Sequence, residues 1–192
     1  VQGHAGGMAA VLGLDRKTLA DVCAGASALG VVEIANYNCP GQMAIAGDAA
    51  AVERACELAK QAGARRCVPL KVSGPFHTSL MAPAASALAE RFTREPFGKM
   101  NFPVYFNCLG GPMGDGDTVP ALLEKQVRSS VYMEDTLRRL ADEGIDRVIE
   151  IGPGRVLSGL WKKTVTERKV PVLGVETAQE LAEAVRMLQE EN

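Results

Sequence analysis

A regular alternation of strand-like and helix-like segments over residues 1–72 constrains the fold of this chain more than any other feature. Four short apolar runs have the length of strands, and they lie at 8–13, 31–36, 42–47 and 66–73. Two segments with apolar residues at helical spacing lie between them. The resulting order, βαββαβ, is that of a ferredoxin-like unit. Residues 1–72 are therefore predicted to form a small α/β subdomain of this type.

Each of the two helices predicted in this unit follows an aspartate. Asp15 and Asp48 stand where a side-chain oxygen can accept from the first turn of a helix, so both are predicted N-caps. The second and third strands are separated by YNCPG, residues 37–41, which is predicted to be a turn because Asn, Pro and Gly are frequent in turns.

From residue 73 onward the predicted strands alternate with longer helices. The run VIEI at 148–151 is predicted to be a buried strand, and VPVLGV at 170–175 another strand. Thr177 and Glu180 have the spacing of a capping box for the closing helix. This alternation favours parallel strands covered by helices, so residues 73–192 are predicted to form a second α/β subdomain.

Composition excludes several classes of function. A net charge of -2 over 192 residues gives no basic surplus for nucleic acid, and no apolar run reaches 18 residues, so no membrane span is predicted. Five cysteines at irregular spacing do not form a zinc pattern. Most of them are interpreted as small buried side chains of a protein in the reducing cytoplasm; the five are Cys23, Cys39, Cys56, Cys67 and Cys108.

His77 is the strongest candidate for a chemical role. It lies in VSGPFHTSLM, where a predicted strand gives way to a helix through a Gly-Pro turn. Open α/β proteins build their sites at such junctions. Taken alone, His77 is better explained as a histidine without a role, and His4, in the glycine-rich start, is given none.

The segment EIGPGRVL, residues 150–157, is a second candidate, because a strand, a Gly-Pro-Gly turn and a helix can hold an anion at the helix N-terminus. A tight turn with close packing is the favoured alternative. Amide side chains gather at Asn36, Asn38 and Gln42, where Asx turns are a sufficient explanation.

Two pairs of basic residues are also candidates. Arg65–Arg66 and Lys162–Lys163 either solvate a surface or steer a negatively charged partner towards the protein.

Four segments, in order, resemble one family: the malonyl-CoA:acyl carrier protein transacylases of bacterial type II fatty acid synthesis. They are GGMAAVLGL, NYNCPGQMAIAG, GARRCVPLKVSGPFHTSLM and IEIGPGRVLSGL. The resemblance implies that residues 1–72 are a ferredoxin-like insertion. It implies that 73–192 are the C-terminal half of an α/β-hydrolase-like subdomain with a parallel sheet.

The resemblance also implies a chemistry. In this family a serine in a GxSxG turn attacks the malonyl thioester, and a histidine takes its proton and returns it to the departing thiol. His77 matches that histidine, and Gln126 matches the glutamine whose main-chain carbonyl orients it. No cofactor is implied; malonyl-CoA is the substrate, and the partner, acyl carrier protein, brings its own phosphopantetheine.

Further residues are assigned by the resemblance alone. Phe76 matches a position where a bulky aromatic accompanies malonyl specificity, since the ring fills the space of an α-methyl group. Asn36, Asn38 and Gln42 match residues along the pantetheine channel. Arg65, Arg66, Lys162 and Lys163 match positions that contact CoA phosphate or the acidic carrier protein.

No GxSxG motif occurs in the 192 residues. The expectation is that the serine and the arginine that grips the malonyl carboxylate belong to an N-terminal part of the same enzyme, which acts as a partner of this chain. The chain alone is then expected to be inactive and poorly stable. Two alternatives stay open: an acyltransferase domain of a polyketide synthase, and a non-catalytic ferredoxin-like binding module.

Overall fold

The structure is a computed structural model that describes residues 6–190, so His4 lies outside the described residues. The strands are β1 (Gly6–Leu12), β2 (Val32–Cys39), β3 (Gln42–Asp48), β4 (Arg66–Pro69), β5 (Tyr105–Phe106), β6 (Gly111–Pro112), β7 (Val131–Tyr132), β8 (Val148–Ile151) and β9 (Val172–Val175). The helices are α1 (Arg16–Ala26), α2 (Ala49–Gln61), α3 (Ala82–Phe92), α4 (Val119–Arg128), α5 (Met133–Asp142), α6 (Val156–Thr164) and α7 (Ala178–Glu190).

The first four strands form an antiparallel sheet in the order β4-β1-β3-β2, and β7 extends it by pairing in parallel with β2. Helices α1 and α2 pack on this sheet and bury residues such as Leu19, Ile45 and Ala55 completely. The predicted α/β class is confirmed, and the first four strands have the order of a ferredoxin-like fold.

The two predicted aspartate caps have different outcomes. Asp15 accepts a hydrogen bond of 2.8 Å from the Thr18 amide, so this cap is confirmed. Asp48 occupies the predicted N-cap position of α2, but the expected cap hydrogen bond from its carboxylate is not formed. The carboxylate accepts from the main-chain N–H of Val31 at 2.8 Å instead, and so joins the end of β3 to the start of β2.

The predicted turn at 37–41 is too long. Strand β2 continues to Cys39, which pairs with Gln42, so Pro40 and Gly41 alone connect the strands. Two irregularities in the register let the strand bend and continue. Asn36 and Asn38 are therefore strand residues, and their Asx turns are not formed.

The chain divides into two compact units, one ending at Thr136 and the other beginning at Leu137. The subdivision at residues 72 and 73 stays a prediction. In the second unit β8 and β9 pair in parallel, and α6 and α7 follow them. Trp161 of α6 is its most deeply buried large side chain, at 2% exposure.

Strand β8 does not have the predicted burial. Ile151 is 80% exposed, whereas the charged Glu150 between two isoleucines is buried. The Glu150 carboxylate accepts from the main-chain N–H groups of Leu157 and Ser158 at the start of α6, and the neighbouring isoleucines lie on the opposite face of the strand.

Cys56 and Cys67 form a disulfide between α2 and β4, so the interpretation of these two as reduced thiols is wrong. Cys23, Cys39 and Cys108 are buried thiols outside this disulfide, as expected for small core side chains. Among the helices described, none combines the length and hydrophobicity that crossing a membrane requires.

Candidate functional site

His77 lies in an irregular segment after β4, where its backbone takes a left-handed conformation with φ of 61°. This is uncommon for a residue with a side chain and needs support from its surroundings. Part of that support is local: the buried Thr78 hydroxyl donates to the main-chain oxygen of Pro75 at 2.7 Å. Gly6 of β1 supplies more, because a Cβ there would lie 2.7 Å from the Pro75 ring.

The imidazole of His77 is oriented by helix α4. Its Nδ1 atom lies 3.1 Å from the main-chain oxygen of Gln126. Gln126 is in the last turn of α4, where carbonyl groups have no donor within the helix and can accept from elsewhere. A carbonyl can only accept, so this contact requires a proton on Nδ1, and in the neutral ring Nε2 is then the acceptor.

The side chain of Gln126 also approaches the ring, with Nε2 of the amide 3.4 Å from the same Nδ1 atom. An N–H of the amide cannot donate to a nitrogen that carries its own proton, so the two contacts exclude each other. The main-chain contact is shorter, and its acceptor is unambiguous, whereas the two ends of an amide are interchangeable by rotation. We therefore assign the orientation of His77 to the carbonyl.

Helix α4 is itself held by contacts with other elements. It packs against α3, and its Leu122 is buried with Phe106 and Cys108 of the β5–β6 region. After the helix, Ser130 donates from its hydroxyl to the Ile34 oxygen of β2 at 2.6 Å. The carbonyl that faces His77 is therefore fixed from both ends of the segment that carries it.

The predicted amide residues lie at one end of the β2–β3 hairpin. Asn36 pairs with Val131 of β7, and its side-chain oxygen is buried without a hydrogen-bond partner in the described part of the chain. Gln42 accepts a weak hydrogen bond from the Cys39 thiol, and Asn38 is half-buried. Phe76 precedes His77 and is 40% exposed. The structure brings Gln126 to His77; the roles of all these residues stay predictions.

The basic pairs belong to different units. Arg65 and Arg66 are exposed at the start of β4, while Lys162 and Lys163 are exposed in the last turn of α6. Cations are favourable at that end of a helix, which is a sufficient reason for the two lysines.

The Gly-Pro-Gly segment does hold an anion, but the anion is part of the protein. The Glu150 carboxylate accepts from the N–H groups of Leu157 and Ser158 at 2.9 and 2.8 Å and from the Ser158 hydroxyl at 2.5 Å. Hydrogen bonds from Ser158 lower the pKa of Glu150 and keep it charged. The N-terminus of α6 is thus occupied by a carboxylate of the protein itself. This geometry agrees with the favoured alternative, a tight turn at the Gly-Pro-Gly segment.

Two further features were not found from the sequence. Glu33 accepts two hydrogen bonds from Ser79, next to the His77 segment, and Arg16 binds Asp135 through two parallel hydrogen bonds. Glu33 interrupts the apolar run VVEIAN, which is a visible signal, but its partner is 46 residues away and cannot be read from that run. Within residues 6–190 no group of three His, Cys, Asp or Glu residues could hold a metal ion.

No family model matches the chain. Curated relatives do match it: a malonyl CoA-acyl carrier protein transacylase from Bacillus subtilis is 42% identical over 188 residues, 97% of this chain. One from Staphylococcus aureus is 37% identical over 177 residues, 92% of this chain. The alignments cover 59% and 57% of these relatives, so the chain spans about three fifths of their length.

Solved structures that resemble this chain include transacylases of the same name as the curated relatives. The malonyl CoA-acyl carrier protein transacylase of Clostridium perfringens has a TM-score of 0.91 and 37% identity, covering all of this chain and 59% of that protein. The chain is homologous to malonyl-CoA:acyl carrier protein transacylases. A second neighbour, at TM-score 0.91 and 35% identity, covers 97% of this chain and 60% of that one; it is a malonyl-transacylase in complex with a type II PKS acyl-carrier protein. The predicted resemblance is confirmed, and the homologues are named as acyltransferases.

Proposed function

We propose that this chain is the His-bearing part of a malonyl-CoA:acyl carrier protein transacylase, which moves a malonyl group from CoA to the phosphopantetheine thiol of the carrier protein. The observation that carries the proposal is the 3.1 Å contact between His77 Nδ1 and the Gln126 oxygen, within a chain homologous to transacylases along nearly its whole length.

His77 acts as general base and then as general acid in this proposal. With Nδ1 protonated and bound to the carbonyl, Nε2 accepts the proton of a serine hydroxyl as that oxygen attacks the malonyl thioester. The imidazolium then gives this proton to the sulfur of the departing CoA thiolate, which leaves as the thiol. In the second half-reaction Nε2 takes the proton of the pantetheine thiol, which displaces the acyl group from the serine, and returns it to the serine oxygen.

The Gln126 carbonyl that orients His77 is neutral, so it stabilises the imidazolium less than a buried carboxylate would. The C-terminal end of α4 carries partial negative charge and therefore adds to the stabilisation of the imidazolium. This moderate stabilisation suits a thioester, which is an activated acyl donor. The serine is proposed to come from a segment outside these 192 residues, so the chain alone is proposed to be inactive.

The remaining residues are proposed to bind substrates. Phe76 excludes an α-methyl group from the acyl site, and Asn36, Asn38 and Gln42 line the pantetheine channel. Arg65, Arg66, Lys162 and Lys163 attract the CoA phosphates or the acidic carrier protein. No cofactor takes part, and the reaction is proposed to occur in the cytoplasm.

Reconstitution tests the function. The chain is co-expressed with the part of the Bacillus subtilis relative that it does not match, and transfer of radiolabelled malonyl from CoA to acyl carrier protein is measured. We expect transfer by the reconstituted protein and none by the chain alone or by a reconstitution whose segment has its GxSxG serine changed to alanine. A folded, reconstituted protein that transfers no malonyl would contradict the function; transfer by the chain alone would contradict the external nucleophile.

A second acceptor is favoured by one observation: the structural neighbour whose bound partner is a type II PKS acyl-carrier protein. The alternative function is therefore acyl transfer in polyketide synthesis. Comparing kcat/KM for a fatty-acid carrier protein and a polyketide carrier protein in the reconstituted enzyme decides between the two. A higher value for the fatty-acid carrier supports the first proposal.

A further inference from the structure

Glu33 of β2 reaches out of the sheet to the segment that carries His77. Its Oε2 accepts from the main-chain N–H of Ser79 at 2.9 Å, and its Oε1 accepts from the Ser79 hydroxyl at 2.6 Å. Both oxygens of the Glu33 carboxylate therefore accept from Ser79, and two hydrogen bonds fix the orientation of Ser79 as well as its position.

The contact between Glu33 and Ser79 lies close to the strained backbone of His77. His77 has a positive φ, two residues before Ser79, and such a conformation persists only when neighbouring contacts hold it on both sides. Before His77 the Pro75 turn is closed by the Thr78 hydroxyl. After it, the first anchor to another element is the pair of hydrogen bonds from Ser79 to Glu33.

Strand β2 also holds the group that orients the imidazole. Three residues beyond Glu33, Asn36 pairs with Val131, which follows Gln126 by five residues. The Ser130 hydroxyl reaches the Ile34 oxygen of the same strand. One strand therefore fixes both the histidine segment and the segment bearing its carbonyl partner.

We propose that Glu33 is a positioning residue for His77: its carboxylate sets the backbone from which the imidazole meets the Gln126 carbonyl. The catalytic consequence rests on the proposed function, whereas the positioning itself does not. The competing explanation is that Glu33 merely stabilises the 3₁₀ turn at Ser79–Met81, whose N-cap residue Thr78 makes no side-chain cap hydrogen bond.

The tautomer of His77 distinguishes the two explanations. Long-range ¹H–¹⁵N NMR on the chain reports which ring nitrogen carries the proton, and His4, the other histidine of the sequence, serves as an internal reference. The variants are Glu33→Ala and Glu33→Gln, which keeps one acceptor oxygen. Glu53→Ala, which removes an exposed carboxylate from α2, is the matched control.

We expect the native chain and Glu53→Ala to show His77 protonated on Nδ1. Glu33→Ala should shift His77 towards protonation on Nε2, which a free imidazole prefers in water, and Glu33→Gln should give a smaller shift; His4 should not change. A folded Glu33→Ala chain with an unchanged His77 tautomer would overturn the proposal. If Glu33→Ala does not fold, Glu33→Gln and Ser79→Ala decide: a shift in either supports the proposal, and native spectra in both overturn it.

Transfer by the reconstituted enzyme separates this proposal from the proposed function. If positioning and function both hold, Glu33→Ala lowers kcat with little change in KM, and Glu33→Gln recovers part of it. A tautomer shift in a reconstituted protein that never transfers malonyl would refute the function and leave the positioning role standing. Full transfer by Glu33→Ala together with an unshifted tautomer would refute the positioning role alone.

Discussion

His77 and Gln126 are 49 residues apart in the sequence, yet a ring nitrogen of the first lies 3.1 Å from the main-chain oxygen of the second. The contact joins an irregular loop after an edge strand to the last turn of a helix. Because the acceptor is a backbone atom, its chemistry is independent of the side chain at position 126, which makes the geometry open to a direct test.

Gln126→Ala should leave the orientation of His77 unchanged. The carbonyl stays in place, and alanine is compatible with the helix. The same NMR measurement should show His77 protonated on Nδ1 in this variant, as in the control Lys125→Ala, where an exposed neighbour is removed. Loss of the Nδ1 proton in Gln126→Ala would show that the amide side chain, and not the carbonyl, orients the ring.

Arg16 should contribute measurably to stability. Its guanidinium binds Asp135 at 3.0 and 2.9 Å, reaches the buried Glu134 at 3.1 Å and lies 4.7 Å from the centre of the Tyr37 ring. Burial opposes the charge, but hydrogen bonds to Asp135 and Glu134 outweigh it, so the pKa of Arg16 is raised.

Arg16→Met should lower the free energy of unfolding in urea by about 1–2 kcal/mol, a value reduced by the partial exposure of the guanidinium to water. The control is Lys17→Met, which removes an exposed pair with Asp21 and should change the stability far less than Arg16→Met does. Equal losses in the two variants would contradict the role given to Arg16.

The disulfide should be detectable chemically. Alkylation of the denatured chain without reductant should modify the three cysteines outside the disulfide, and reduction should raise the number to five. Burial raises the pKa of Cys23 to about 11, so this thiol should react only after denaturation. Five modified cysteines without reductant would show that Cys56 and Cys67 are not joined.

Reduction should also weaken the fold. The cross-link closes a loop with a sequence separation of 11, for which the loss of chain entropy in the unfolded state corresponds to about 3 kcal/mol. Chemical unfolding with and without reductant measures this difference, and the double variant C56S/C67S, insensitive to reductant, is the control.

Glu150 should make the second unit sensitive to acid. Hydrogen bonds from Ser158 lower its pKa in the folded chain, so it contributes stability above the ordinary glutamate pKa of about 4.3 and loses that contribution as pH falls through the lower folded pKa. Unfolding monitored by Trp161 should show Glu150→Gln less stable than the native chain at pH 7, with the difference shrinking in acid. Glu167→Gln, an exposed control, should show no such convergence.

Local patterns in the sequence predicted much of the fold. The Asp15 cap and the Thr177–Glu180 capping box are contacts within one turn, and both are formed: the Thr177 amide donates to Glu180 at 2.9 Å, and the Glu180 amide donates to Thr177 at 3.2 Å. Such contacts involve residues three apart, so propensity and spacing determine them.

The errors arise where a distant partner competes with a local one. Asp48 directly precedes α2, yet its carboxylate binds the main-chain N–H of Val31, 17 residues earlier. Glu150 lies in an apolar run that favoured a buried strand, but its carboxylate accepts hydrogen bonds at the start of α6. Glu33 and Gln126 meet their partners 46 and 49 residues away, and only the fold reveals such pairs.

Malonyl transfer by the reconstituted enzyme with His77→Ala tests the central claim most directly. If Nε2 of His77 moves the proton in both half-reactions, kcat/KM should fall by about 10²–10⁴. Gln126→Ala, which keeps the carbonyl, should retain activity near that of the unmodified protein. Undiminished transfer by a folded His77→Ala variant would contradict the claim that His77 is the catalytic base.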